Sequence, residues 1–259
     1  MTSFQIADVE TARTARGLRL VIVSDVPSPW SQAAKTIFEL KQIPGLLVRK
    51  PARDGAVQAW TGVPNAPVVV YDDEPPRSGW AEILELAERL RPDVPLVPSD
   101  PELRVRMFGL SHELLGAGGL IWSGRLLTVA ASIESEGARG FALPVAKYLA
   151  ARYGYTPNCA EPARARMLEI LGLLSRQLQQ AARVGHEYYL GNTVTALDIY
   201  SVAVMNTFAM LPHDQCPAHA GVRRAFEWMA AEVQHAIAPE LLAHRDRVLA
   251  RHFSLPLQL

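Results

Sequence analysis

The stretch LRLVIVSDVPSPWSQAAKTIFEL, residues 18–40, carries three signals in succession. Leu18, Leu20, Val21, Ile22 and Val23 form an apolar run with the composition of a buried strand. Ser24-Asp25-Val26-Pro27-Ser28-Pro29 interrupts it, and beyond Trp30 the residues Ala33, Ala34, Ile37, Phe38 and Leu40 recur at helical spacing. Ser28 has the chemistry of an N-cap, since its hydroxyl can accept from the free N–H groups of a first helical turn. Pro29 suits the first helical position, where a missing N–H costs nothing. The stretch thus predicts a strand, a tight turn and a helix start with a hydroxyl at the positive end of the dipole. An anion held there, such as a ligand thiolate, gains roughly 0.3–1 kcal/mol from the dipole alone.

Beyond this stretch, Ile43-Pro44-Gly45 stops the helix, and Leu46-Leu47-Val48-Arg49 reads as a second strand. Reached through a helix, it is expected to run parallel to the first. Residues 51–63 could hold a short irregular helix. Ala66-Pro67-Val68-Val69-Val70-Tyr71 predicts a third strand led by proline, broken by Asp72-Asp73-Glu74-Pro75-Pro76. After Ser78-Gly79, the residues Ile83, Leu84, Leu86, Ala87 and Leu90 form the apolar stripe of another helix. Toward the N-terminus, residues 1–17 show no sustained apolar core and are expected to be a partly ordered extension, without the apolar region a secretory signal needs.

Residues 91–101 contain Pro92, Pro95, Pro98 and Pro101, a density no helix or strand survives, and residues 92–101 read as a linker. Beyond it the strand signal fades. Residues 102–115, 120–131, 141–153, 162–184, 196–211, 222–237 and 239–251 are all compatible with helices. The expected organisation is an extension at 1–17, an α/β part at 18–91, a linker at 92–101 and an all-helical part at 102–259. Gly116-Ala117-Gly118-Gly119 follows a helix rather than a strand and lacks a downstream Lys-Ser/Thr, so it reads as a helix break and not a phosphate loop. Thr195 and Asp198 have capping-box spacing, with Val194 and Ile199 placed for a hydrophobic staple; this is a folding signal.

The chain has 259 residues, 49% of them hydrophobic, which suffices for one large core or two modest ones. Lys and Arg number 26, as do Asp and Glu, so the charge balance favours neither nucleic acid nor an anionic membrane. No apolar stretch is expected to be long enough to span a membrane. Two cysteines, Cys159 and Cys216, make no disulfide framework and show no metal-ligand spacing, which suits a reducing compartment. His186, His213, His219 and His235 lie in no metal or triad context, and no metal site is expected.

Ser28-Pro29-Trp30-Ser31, Ala66-Pro67-Val68, Leu86-Ala87-Glu88-Arg89 and the stretch from Gly191 to Asp198 resemble, in order, four landmarks of the glutathione transferase family. The resemblance implies an α/β thioredoxin-like N-terminal domain followed by an all-α helical-bundle C-terminal domain. It implies that Ser28, in a turn closest to the tau-class serine form, activates the glutathione thiol. Ala66 and the cis-proline Pro67 would offer backbone bonds to the cysteinyl part of glutathione. Ser78 and Gly79, or Arg77 and Ser78 in a register shifted by one, fall where the family carries a Glu-Ser or Gln-Ser pair for the γ-glutamyl group; in either register the acidic or amide member is absent. Trp30, Phe108, His112 and Trp122, with Arg125, fall where the family builds its electrophile pocket, although each also has an ordinary packing reading. With serine at both 28 and 31, disulfide exchange at this turn has no sulfur to proceed through.

The resemblance therefore implies a cytoplasmic, homodimeric enzyme that uses glutathione as co-substrate, needs no metal, and conjugates, reduces or isomerises a small apolar electrophile. No nucleic acid or membrane partner is expected. The alternative is a non-catalytic binding or scaffold protein that kept the two-part body and lost the glutathione site.

Overall fold

The computed structural model describes residues 4–51 and 55–259. Four strands form one sheet: β1 (Phe4–Ala7), β2 (Leu18–Val23), β3 (Gly45–Lys50) and β4 (Val68–Tyr71), in spatial order β1-β3-β2-β4. β3 runs parallel to both β1 and β2, whereas β4 is antiparallel to β2. The helices among them are α1 (Val9–Thr14), α2 (Pro29–Leu40), α3 (Ala56–Thr61) and α4 (Trp80–Leu90). The parallel β2-α2-β3 unit follows from the long helical crossover that parallel pairing requires.

Of the residues expected to be an extension, Phe4–Ala7 are instead part of this sheet. Phe4 pairs with Gly45 and Ala7 with Val48, so β1 adds an edge strand, and α1 packs against β3 and α3. Four residues with only Phe4 fully buried carry no alternation strong enough to read from sequence. Residues 1–3, and residues 52–54 within the stretch expected to hold a short helix, lie outside the described residues; α3 occupies Ala56–Thr61.

Both sheet faces are covered. Leu18, Leu20 and Ile22 point to one side, toward α2 and α4, while Val21, Val48, Val68 and Val70 point to the other, toward Ala12 and Val57. Gly45 is required where β3 passes β2, since a Cβ there would meet the Leu18 carbonyl oxygen at 2.6 Å.

Seven helices follow: α5 (Pro101–Leu115), α6 (Leu120–Glu134), α7 (Leu143–Tyr153), α8 (Ala160–Arg183), α9 (Ala196–Met205), α10 (Ala220–Val233) and α11 (Pro239–His252), with a short 3-10 turn at Gln234–Ala236. The architecture is thus a thioredoxin-like α/β part followed by an all-helical part. One core runs through both, from Leu18 and Phe38 to Leu197, Met205 and Leu249. α9 ends six residues before the apolar pattern does, because the Asn206 side chain accepts from the Leu211 N–H and turns the chain away.

The segment between α4 and α5 is held down at both ends. Leu96 is buried, its N–H donates to Glu88 Oε1, and its carbonyl accepts from the Ala196 N–H at the start of α9. The run 101–134 contains a window apolar and long enough to cross a membrane by composition, contrary to the sequence expectation, but 78% of that window is buried inside the protein. Its apolar character is that of a core helix.

Candidate functional site

β2 delivers its C-terminal end into the turn that carries Ser28. Asp25 takes a left-handed conformation (φ 59°), which its short polar side chain tolerates, and the Ser28 N–H closes the turn on the Val26 carbonyl at 2.7 Å. Ser28 stands at the N-cap of α2 with extended backbone angles, and Pro29 occupies the first helical position as expected. The expected cap bond is absent, however. The Ser28 hydroxyl makes no hydrogen bond among the described residues, although the residue is only 7% exposed. The residue is largely buried but its hydroxyl, unlike that of Ser31, remains open to solvent, and it sits at the positive end of a helix of 12 residues. Ser31, one turn on, is fully buried and its hydroxyl is also without a partner.

Strand register decides what else reaches this end of the sheet. Val21 pairs with Val68, so Ala66 and Pro67, immediately before β4, lie at the end where β2 runs out toward Ser28. The Ala66-Pro67 bond is cis. The chain then turns, and Arg77 bridges back to Val69 in antiparallel fashion, which directs Ser78 and Gly79 to the same end. Ser28, Ala66, Pro67, Ser78 and Gly79 are therefore gathered at one end of the sheet by pairing alone.

At the start of α4 the Gly79 N–H donates to Glu82 Oε2 at 3.2 Å. The first turn of α4 thus carries its own carboxylate, a residue absent from the sequence expectations for this site. The spacing of Gly79 and Glu82 as N-cap and third helical position is the signal that could have found it.

The helical part closes on the turn from three directions. Trp30 Nε1 donates to the Leu115 carbonyl at the end of α5, 2.9 Å away. The His219 N–H donates to the Asp25 carbonyl at 3.0 Å, and His219 itself caps α10 by accepting from the Gly221 N–H. Gln32 Nε2 donates to the Gln258 carbonyl at 3.0 Å. The sequence places none of His219, Gln32 or Gln258 at this site. For Gln32 a signal exists, its i+4 relation to Ser28.

The four pocket candidates are distributed over separate contacts. Trp30 meets the end of α5, the helix that also carries His112 one turn earlier; His112 is exposed. Phe108 packs on Trp80 at a centroid distance of 6.1 Å, under the Arg104 guanidinium. Trp80 in turn meets Tyr200 edge-on at 5.5 Å, so Phe108 belongs to the seam joining α4 to α5 and α9. Trp122 packs edge-on against Tyr153 at 4.6 Å. One turn beyond it, Arg125 is buried with its guanidinium 4.5 Å from the Phe226 ring centre and 5.5 Å from that of Phe141, and burial pushes its pKa down.

Among the described residues, no group of three or more His, Cys, Asp or Glu side chains is placed to hold a metal ion. The arrangement at Ser28 offers a different chemistry, an unbonded hydroxyl at a helix N-terminus. Both favour a negatively charged atom.

No family model matches the chain, and no curated protein matches it. Solved structures do. A glutathione S-transferase from Methylobacterium radiotolerans, in complex with glutathione sulfonate, is 19% identical with a TM-score of 0.58, covering 90% of this chain and 91% of its own. The β-etherase LigF from Sphingobium sp. strain SYK-6 is 16% identical with a TM-score of 0.62, covering 90% of this chain and 95% of its own. A glutathione transferase family member from Pseudomonas fluorescens, with two glutathione molecules bound, is 14% identical with a TM-score of 0.55, covering 94% and 92%. At these identities the likeness establishes the glutathione transferase fold over the length of the chain.

Proposed function

We propose that this protein is a glutathione-dependent transferase in which the Ser28 hydroxyl donates a hydrogen bond to the glutathione sulfur. The observation that carries this reading is that hydroxyl: unpartnered, on a buried residue, and set at the start of α2. A thiol ordinarily ionises near 8.5, and a donor plus a helix N-terminus favour its anion. The thiol proton leaves to solvent, and the thiolate attacks an electrophilic carbon of a small apolar substrate. The S–C bond forms as the leaving group departs with its electron pair. Ala66, beside the cis bond, would present its backbone to the cysteinyl amide of glutathione, with Ser78 and Gly79 nearer the γ-glutamyl end. The tau-like serine turn, a cytoplasmic location and a homodimeric state belong to the same proposal. The bound ligands of the Methylobacterium and Pseudomonas proteins support the choice of co-substrate.

One observation favours a second reading, a non-catalytic protein of this fold: Glu82 occupies the Gly79 N–H, and a second carboxylate is disfavoured beside it. A single comparison separates the two. Wild type and Ser28→Ala are titrated with glutathione and assayed for thioether formation with 1-chloro-2,4-dinitrobenzene. The expected result is unchanged melting for Ser28→Ala, since its hydroxyl bonds nothing, and a loss in rate of roughly 10- to 100-fold, the worth of one hydrogen bond to a charged atom. Equal rates in both proteins overturn the assignment to Ser28. No glutathione-induced rise in melting temperature in the wild type favours the binding protein.

A further inference from the structure

The last turns of α8, residues 186–188 and one face of α11 border a cleft of about 320 Å³, in the size range of small-molecule sites. None of its lining residues belongs to the sheet or to the turn that carries Ser28. Part of its lining is apolar and small, Leu178, Ala181 and Ala243, and the alanines leave the space open. From α11 come Glu240, Ala243, His244 and Arg247, whose spacing of three, one and three puts them on one face of the helix. Glu240 and Arg247 stand about 10 Å apart along the axis, at 1.5 Å per residue. The cleft therefore has a carboxylate toward one end and a guanidinium toward the other.

The guanidinium end has an unused donor. Arg247 Nη2 donates to the Glu187 carbonyl at 2.7 Å and lies 3.1 Å from His244 Nδ1, but Nε is enclosed without a hydrogen-bond partner. No carboxylate among the described residues pairs with Arg247; Glu187, beside it, turns its own to Arg251 at 2.9 Å. The last carbonyls of α8 are already met, Ala181 accepting from the Val184 and His186 N–H groups and Ala182 from that of Gly185. At the other end Glu240 Oε1 accepts from the Ser175 hydroxyl at 2.5 Å and from Gln179 Nε2 at 2.6 Å. The Ser175 bond above all lowers the Glu240 pKa, so the group stays ionised.

We propose that this cleft binds a small ω-amino carboxylate, its carboxylate accepting from Arg247, its methylene chain lying on Leu178, Ala181 and Ala243, and its ammonium beside Glu240. An enclosed donor without a partner is rare in a folded chain, and an incoming anion supplies the missing acceptor. A plain dianion would meet the Glu240 carboxylate, and a plain amine would meet Arg247, so a ligand carrying one charge of each sign fits both ends. The site is independent of the reading of Ser28.

Calorimetric titration of the intact chain with 6-aminohexanoate, hexanoate and hexylamine tests it. The expected result is saturable binding of 6-aminohexanoate with a Kd on the order of 1 mM, ordinary for a ligand of that size. Hexanoate should bind roughly threefold more weakly, for want of the contact with a partly exposed carboxylate. Hexylamine and the variant Arg247→Met with 6-aminohexanoate should each show a loss of at least about tenfold, the worth of a hydrogen bond to a charged group. Glu240→Gln keeps an acceptor for Ser175 and Gln179 and should bind hexanoate and 6-aminohexanoate equally. Ala243→Leu fills the cleft, removes no hydrogen-bonding group from it, and should abolish binding. If Arg247→Met does not melt cooperatively, Ala243→Leu and the three probes decide. No saturable heat up to about 20 mM, where such a ligand would be mostly bound, overturns the proposal. So do equal affinities for 6-aminohexanoate and either single-charge probe in the intact chain, and unchanged affinity in Ala243→Leu.

Discussion

Nε2 of His244 lies 3.2 Å from Oδ1 of Asp198, and neither side chain reaches solvent. Asp198 also accepts from the Thr195 N–H at 2.8 Å, the Thr195 hydroxyl at 2.9 Å and the Tyr189 N–H at 3.2 Å. The acidic half of the capping box expected from sequence is thus made. The threonine hydroxyl, however, donates to the carboxylate instead of accepting from the helix. On the other side of the ring, Nδ1 of His244 stands 3.1 Å from Arg247 Nη2, which can only donate. Nδ1 is therefore placed to accept from Arg247, and Nε2 is the ring nitrogen nearest Asp198. The pair is close without being aligned as a hydrogen bond. It joins α9, α11 and the loop before α9.

Asp198→Ala leaves two backbone N–H groups and His244 facing a buried void. A loss of about 3–5 kcal/mol in unfolding free energy is expected, as for the removal of one member of a buried charged network. Urea denaturation measures it. A loss below about 1 kcal/mol would show that water replaces the carboxylate and that the network contributes little.

Lys41 is fully buried and its ammonium is shared among the Arg91 carbonyl at 2.8 Å, the Val94 carbonyl at 2.6 Å and Glu88 Oε1 at 2.8 Å. All three of its protons have acceptors. Lys41→Met keeps the stem volume and strands those acceptors, so roughly 3 kcal/mol should be lost, with faster proteolysis between α4 and α5. Unchanged protease sensitivity of that segment would mean that Leu96 and the Ala196 N–H hold it without the lysine.

Glu82 should set the affinity for a carboxylate-bearing ligand at the start of α4. Glu82→Gln retains an acceptor for the Gly79 N–H and removes the charge. Calorimetry is expected to show glutathione binding several-fold more tightly, at a cost of about 0.5 kcal/mol in the stability of α4. Weaker binding by the variant would place Glu82 among the groups that hold the ligand.

His252 pairs with the Tyr188 hydroxyl at 3.0 Å. Burial pushes its pKa below the ordinary imidazole value; Asp198 acts against this and Arg251 adds to it. The unfolded chain takes up its proton near 6.5 and the folded protein only at lower pH. The contribution of neutral His252 is therefore present above pH 6.5 and is lost as pH falls from there through the folded value. His252→Gln should show a smaller drop in melting temperature between pH 7.5 and 5.5 than the wild type. An equal drop would move the acid sensitivity to other groups.

The order of elements was legible because each rests on a local pattern: the apolar run at 18–23, the stop at Ile43-Pro44-Gly45, the helical stripes beyond Pro101. β1 was not legible, because a four-residue edge strand with one buried side chain has too little pattern to register. The lost tail of α9 has another cause, since the Asn206 side chain competes with the helix for the backbone and apolar spacing does not report such competition.

At the candidate site, the residue types were readable from short stretches of chain: a serine before a proline at a helix start, an alanine before a proline ahead of a strand, a serine and glycine ahead of α4. These depend on backbone chemistry within a few residues. Three features needed the folded chain: the Ser28 hydroxyl is left unbonded, Glu82 fills the Gly79 N–H, and the Gln258 carbonyl accepts from the Gln32 amide. The first and second depend on side-chain orientation, and the third brings together groups 226 residues apart. No local periodicity encodes either, because both are set by what the packed core leaves room for.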